Sequence, residues 1–155
     1  MAKTILFVCT GNVCRSPMAA GFLREHLRRE GRQDDLRVRS AGTWTVEGRP
    51  ASAYALQVMV ERGLDISDHR SRILTARDVE EADLILVMAQ SHREAIEVEF
   101  PQARGKTYLL SEMAGRSYDI SDPGGAPLAV YRRCADELEN LIEKGYERIV
   151  ELAGA

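Results

Sequence analysis

The 155-residue chain is predicted to be an α/β protein: a four-stranded parallel sheet with helices on both faces. Three observations carry this. Two continuous apolar runs, Ile5-Leu6-Phe7-Val8 and Leu84-Ile85-Leu86-Val87-Met88, have the composition of strands buried on both sides. Strand-like runs alternate with stretches of helical periodicity, which requires right-handed crossovers between parallel strands. The remaining strand runs are less apolar and belong at the edges. The two apolar runs then sit in the middle, giving the order 2-1-3-4 with a switch point between strands one and three. Ligands of such sheets bind beyond the C-terminal strand ends at that point.

In chain order, strand one covers about 3–8. Helix one follows from about 17 to 30, with Met18, Ala19, Phe22, Leu23 and Leu27 as its apolar stripe and Gly31 closing it. Leu36 to Ala41 alternates (Leu36 and Val38 against Arg37 and Arg39), as an edge strand does. Residues 43–50 form a loop, 51–62 a helix closed by Gly63, and 64–76 an irregular stretch. A helical turn near 77–81 precedes strand three, Asp83 to Met88. Ser91 to Phe100 is a helix ended by Pro101, and Lys106 to Leu110 is strand four. A loop rich in Gly, Pro and Asp spans 115–127. The last helix, 127–152, carries Tyr131, Cys134, Leu138, Leu141, Ile142, Ile149 and Leu152 on one face. Tyr54 and Tyr108 fall in regular elements, as core or surface residues.

Composition bounds the function. The length predicts one domain, 1–155. Hydrophobic residues make up 45% and charged residues 29%, with a net charge of −3. That balance argues against a nucleic-acid partner. No segment is long and apolar enough to span a membrane, and the opening Met1-Ala2-Lys3-Thr4 has no secretion signal, so a cytoplasmic location is expected. Three cysteines make no disulfide framework, and three scattered histidines make no metal site. Neither a metal nor a cofactor is expected.

The chemistry centres on Cys9-Thr10-Gly11-Asn12-Val13-Cys14-Arg15-Ser16-Pro17. This segment joins the end of strand one to the start of helix one. Free backbone N–H groups and the positive helix end converge there and make an anion nest. The same field is expected to hold the Cys9 thiol well below its ordinary value. Arg15 brings a planar fork suited to two phosphate oxygens. Gly11 permits positive φ, and Asn12 tolerates it. Ser16 is a good N-cap and Pro17 a good first helical residue; Ser16 could also donate its hydroxyl to the sulfur. The expected chemistry is attack of Cys9 on a bound phosphoryl group, with Thr10 to Ser16 as the phosphate cradle. Neither nucleotide-loop pattern, Gly-Lys-Ser/Thr or Gly-x-Gly-x-x-Gly, is present.

The leaving oxygen needs a proton. Asp119 and Asp122 lie in the loop before the last helix, and Pro123 favours an extended backbone at Asp122. From the residues alone either aspartate serves equally as a turn or capping residue.

The Cys9–Pro17 segment resembles the signature loop of the low-molecular-weight protein tyrosine phosphatases, and the match runs through most of the chain. That family includes bacterial protein-arginine phosphatases and thioredoxin-linked arsenate reductases. The resemblance implies the same three-layer, flavodoxin-like fold and a cofactor-free phosphomonoesterase acting on phosphoproteins, with inorganic phosphate and vanadate as inhibitors. It implies that Asp122 of Asp122-Pro123 is the general acid. It also implies that Asn12, Ser16, Ser40 and His69 hold the loop rigid, that Trp44 walls the site, and that Cys14 protects Cys9 by forming a reversible disulfide. Cys134 reads as a core residue. Two features bear on the substrate. Gly124-Gly125 stands where many tyrosine-specific members carry aromatic residues, which resembles the arginine-specific branch. Val13 stands where that branch resembles itself in carrying Thr. The two further cysteines of the arsenate reductases are absent, which disfavours that activity. A phosphate-binding module without catalysis would keep Gly11, Arg15 and Ser16 and need neither Cys9 nor Asp122.

Overall fold

A computed structural model describes residues 2–155. Met1, part of the opening read as lacking a secretion signal, lies outside the described residues. The sheet order is β2-β1-β3-β4, all parallel, the order expected from the apolar runs. Strand β1 (Lys3–Cys9) pairs with β2 (Leu36–Gly42) from Lys3↔Leu36 to Cys9↔Gly42, and with β3 (Leu84–Val87) from Ile5↔Leu84 to Val8↔Val87. Strand β4 (Thr107–Leu109) borders β3.

Side chains of β1 alternate between two hydrophobic layers. Ile5, Phe7 and Cys9 face a core that includes Met18, Phe22 and Leu23 of α1 (Arg15–Arg29), Val58 and Met59 of α2 (Ala53–Val60), and Leu138, Leu141 and Ile149 of α6 (Leu128–Ala153). Leu6 and Val8 face a smaller core with Val79 of α3 (Ala76–Glu81) and Ile96 of α4 (Gln90–Glu99). Coverage on both faces explains why β1 and β3 are continuously apolar, and why the edge strand β2 exposes Arg37. Among the described residues no helix is long and apolar enough to cross a membrane.

Several boundaries differ from expectation for identifiable reasons. Helix α1 begins at Arg15, so Ser16 is neither an N-cap nor capping a backbone N–H; its hydroxyl is used elsewhere, and Pro17 lies within the first turn. Its C-terminal end closes at Gly31 (φ 68), where Arg32 N–H donates to Leu27 O at 2.8 Å. Helix α2 starts at Ala53 because Ser52 N–H donates to Val13 O at 2.9 Å, tying that turn to the signature loop. Strand β4 stops at Leu109, whose N–H donates to the Glu112 carboxylate at 2.8 Å; this turns the chain into a short helix, α5 (Leu110–Met113), absent from the sequence reading. On α6, Leu152 is only half-buried, while Tyr146, Val150 and Ala153 are buried.

Candidate active site

The Cys9–Ser16 loop lies beyond the C-terminal end of β1, between the carboxyl ends of β2 and β3. A small cavity of about 90 Å³ opens there, lined by Cys9, Gly11, Asn12, Val13, Cys14, Arg15, Asp122 and Gly124. A larger hollow of about 520 Å³ lies behind α1, lined by Pro17, Gly21, Arg24, Leu64 and His69 among others, and contains no nucleophile.

Asn12 organises the loop. It is fully buried and is the one non-glycine among the described residues with positive φ, at 56°. Gly11 is the more permissive residue of the pair, yet Asn12 takes the left-handed conformation, and its bonds stabilise it there. Its N–H donates to Cys9 Sγ at 3.3 Å, and its Nδ2 donates to Ser16 Oγ at 2.8 Å and Ser40 Oγ at 3.0 Å. Its Oδ1 accepts from Arg72 N–H at 2.9 Å, and its carbonyl accepts from His69 Nε2 at 2.5 Å. Ser40 and His69 therefore meet the loop through Asn12. Burial pushes the His69 imidazole below its ordinary value.

Ser16 Oγ, already accepting from Asn12, lies 2.9 Å from Cys9 Sγ and has its own proton free to donate. Burial is the strongest influence on the Cys9 thiol and pushes it up. The Ser16 hydroxyl and N–H, the Arg15 guanidinium and the Asn12 N–H pull it down. The expectation that the loop's field holds the thiol well below its ordinary value is thus opposed: Cys9 is buried at the base of the cavity, and desolvation works against its charge.

Arg15 is 5% exposed. Its Nη1 donates to Ile120 O at 2.8 Å, and its Nη2 lies 3.8 Å from Asp122 Oδ2. Its Nε is buried without a protein partner among the described residues. One edge of the guanidinium thus anchors the 115–127 loop while another N–H remains available. The structure also separates the two aspartates. Asp119 accepts from Gln90 N–H at 2.9 Å and is absent from the cavity lining. Asp122 lines the cavity, with Gly124 N–H on its Oδ1 at 2.9 Å.

Cys14 is a free thiol, 3.3 Å from Ser52 Oγ and 3.4 Å from the Tyr131 hydroxyl. Cys134 is also free and buried, and burial pushes its thiol up to about 12. The Trp44 backbone N–H donates to Thr10 O at 3.1 Å, but its side chain is 83% exposed and stands outside the cavity lining. Among the described residues no three His, Cys, Asp or Glu side chains cluster so as to hold a metal ion.

Residues 4–152 match the family model described as low molecular weight phosphotyrosine protein phosphatase. The chain belongs to the low molecular weight phosphotyrosine protein phosphatase family. Within it, the chain is 42% identical over 150 residues to a protein-arginine-phosphatase of Geobacillus stearothermophilus, covering 96% of this chain and 97% of that one. It is 38% identical over 149 residues to a probable low molecular weight protein-tyrosine-phosphatase of Ralstonia nicotianae, covering 96% and 97%. A solved low molecular weight protein tyrosine phosphatase from T. tengcongensis superimposes with a TM-score of 0.90 at 42% identity, covering 95% of this chain and 99% of that one. The chain is thus a phosphatase of this family, whose relatives include both tyrosine and arginine phosphatases.

Several residues of this phosphatase site had no reading in the sequence. His92 is one of three histidines scattered in sequence, yet its Nε2 lies 2.8 Å from Thr10 Oγ1. The available signal was its position in the first turn after β3, at the same end of the sheet as Cys9. Asp78 is buried and pairs with the half-buried Arg72 at 2.5 Å, and the Arg72 backbone N–H reaches Asn12. Burial alone would raise the Asp78 carboxyl, but the Arg72 guanidinium and the Thr75 N–H and hydroxyl together hold it below the usual range. Gly42 has no room for a side chain: a Cβ there would lie 2.6 Å from Thr10 O.

Proposed function

We propose that this chain hydrolyses phosphotyrosine and related aryl phosphomonoesters through a phosphocysteine intermediate. The observation that carries the reading is the convergence of Cys9, Arg15 and Asp122 on one small cavity at a helix N-terminus. Arg15 Nε and the loop amides of Thr10, Gly11, Asn12, Val13, Cys14 and Ser16 hold the phosphoryl oxygens. Cys9 Sγ attacks phosphorus; the S–P bond forms as the P–O bond to the leaving group breaks, and Asp122 gives that oxygen a proton. Water then attacks phosphorus, the S–P bond breaks, and the Asp122 carboxylate takes the water's proton. The raised thiol fits this sequence, because enzyme and substrate share one proton. A thiolate with a phosphate monoanion and a thiol with a phosphate dianion are the same charge state of the complex.

Asn12, Ser16, Ser40 and His69 keep the loop shaped for the oxyanion, and Ser16 stabilises the departing thiolate in the second step. Trp44, exposed beside the loop, stacks against the substrate ring. Cys14 acts in redox protection: a hydroperoxide converts Cys9 to a sulfenic acid, which condenses with the Cys14 thiol, releasing water. Phosphate and vanadate inhibit by occupying the cradle. No metal or cofactor takes part. The proposed location is the cytoplasm, in keeping with three free thiols, and 1–155 acts as a single phosphatase domain.

A second reading, hydrolysis of phosphoarginine, is favoured by one observation: Gly124, not an aromatic side chain, borders the cavity after Asp122-Pro123. Val13, also in the lining, opposes it, since it has no hydroxyl to orient a bound water. Turnover of a phosphotyrosine peptide and a phosphoarginine peptide by one preparation decides between them. Faster release of phosphate from phosphotyrosine is the expected result; faster release from phosphoarginine reverses the assignment.

A further inference from the structure

The first turn of α4 touches both halves of the site. His92 is 5% exposed. Its Nδ1 accepts from Ala89 N–H at 3.1 Å, so in the neutral ring the proton sits on Nε2. That proton points at Thr10 Oγ1, 2.8 Å away. Thr10 follows Cys9 directly. Two residues before His92, Gln90 N–H donates to Asp119 Oδ1 at 2.9 Å. Asp119 lies three residues before Asp122, and the intervening Ile120 is bonded to Met88 O at 2.9 Å through its N–H. One helical turn therefore grips the nucleophile's loop on one side and the acid's loop on the other.

We propose that His92 is a positioning residue for the phosphatase reaction: its Nε2–H ties Thr10, and with it the Cys9 loop, to the helical turn that carries the Asp122 loop. The proposal rests on the assignment of Cys9 and Asp122 above. Protonation of His92 would set an N–H against the Ala89 N–H and break the helix cap. Other surroundings also keep the ring neutral. Burial and the Arg15 guanidinium press it down to about 4, against the opposing pull of Asp119 and Asp122. On its own helix, Arg93 is paired with Glu97 and with Glu112 of α5.

The test separates position from folding. In His92→Asn, the Asn oxygen reaches Ala89 N–H as Nδ1 does, but the side chain stops short of Thr10. In His92→Gln, the amide nitrogen reaches the place of Nε2. Steady-state rates are measured for wild type, H92N, H92Q, T10V and the double variant H92N/T10V. The substrates are aryl phosphates with leaving groups from p-nitrophenol to unsubstituted phenol. Misplacing the acid penalises the poorer leaving group, which needs the proton more. H92N is expected to melt close to wild type and to lose about tenfold in kcat/KM, which reports the step that expels the leaving group, on phenyl phosphate but only about threefold on p-nitrophenyl phosphate. T10V should match it, H92Q should recover most of the loss, and the double variant should be no worse than either single one. An equal loss on every substrate, no loss at all, or additive losses in the double variant would overturn the proposal. A wild-type protein inert toward the whole series would instead overturn the phosphatase reading, and this inference with it.

Discussion

Ser16 Oγ lies 2.9 Å from Cys9 Sγ and accepts a hydrogen bond from Asn12 Nδ2, so the serine's own proton is directed at the sulfur. Within an enclosure that disfavours charge on that sulfur, this hydroxyl is the first of the groups working the other way. Ser16→Ala should therefore raise the thiol further and slow breakdown of the phosphoenzyme more than its formation. Iodoacetate inactivation rates followed against pH should shift to higher pH, and burst kinetics should show the phosphoenzyme accumulating. An unshifted inactivation profile would remove the serine from the mechanism.

Asp122 lines the cavity while Asp119 is held by the Gln90 N–H. Asp122→Asn should lower kcat on aryl phosphates by about 10²–10⁴-fold, the usual scale for general acid catalysis. Asp119→Asn should cost far less. The reverse ranking in the same assay would show the acid to be misassigned.

Cys9→Ser should abolish turnover while leaving the oxyanion cradle in place. Vanadate or phosphate should still raise the melting temperature of the variant, as ligands of the native state do. Loss of that stabilisation would mean that the sulfur, rather than Arg15 and the loop amides, provides most of the anion binding.

His92 gives stability a pH dependence with a defined sign. Above pH 6.5 the ring is neutral in the folded and the unfolded chain. Between 6.5 and about 4 the unfolded chain takes up a proton that the folded chain refuses. Stability from this residue is thus complete above 6.5 and is lost as pH falls toward 4. Urea unfolding at pH 7.5 and pH 5 should show a smaller decrease in His92→Asn than in wild type. An identical decrease would mean that His92 is not held neutral by the fold.

Gly42→Ala should both destabilise the fold and impair catalysis, because its Cβ would press on the Thr10 carbonyl at 2.6 Å. The expected cost is about 1–3 kcal/mol by urea unfolding, the range for overpacking a filled site. Activity should fall as well, since Thr10 belongs to the proposed cradle. A fully stable, fully active variant would show that the loop yields without consequence.

Much of the molecule is legible in the sequence. Two apolar runs placed β1 and β3 in the centre, and alternation placed β2 at the edge, because burial on one face or two leaves a different periodicity in a strand. The segment Cys9 to Ser16 could be picked out as one built loop, because the contacts among Cys9, Asn12 and Ser16 are made within a few residues of chain. Helix ends were less legible. Ser16 has the chemistry of an N-cap, but its hydroxyl serves Cys9 instead, and nothing in its local sequence separates the two uses.

What the sequence by itself determined is the local logic: which runs form strands, which loop joins the end of β1 to the start of α1, and which thiol sits at its head. What only the tertiary structure decided are the partners far along the chain: His92 on Thr10, 82 residues apart; Ile120 on Arg15, 105 apart; and Tyr131 on Cys14, 117 apart. The physical reason is that periodicity records whether a side chain is buried, whereas a hydrogen bond at 2.8 Å depends on strand register and on how helices pack across the sheet. The same packing encloses the Cys9 sulfur, so the balance between desolvation and donated hydrogen bonds is a property of the folded molecule alone.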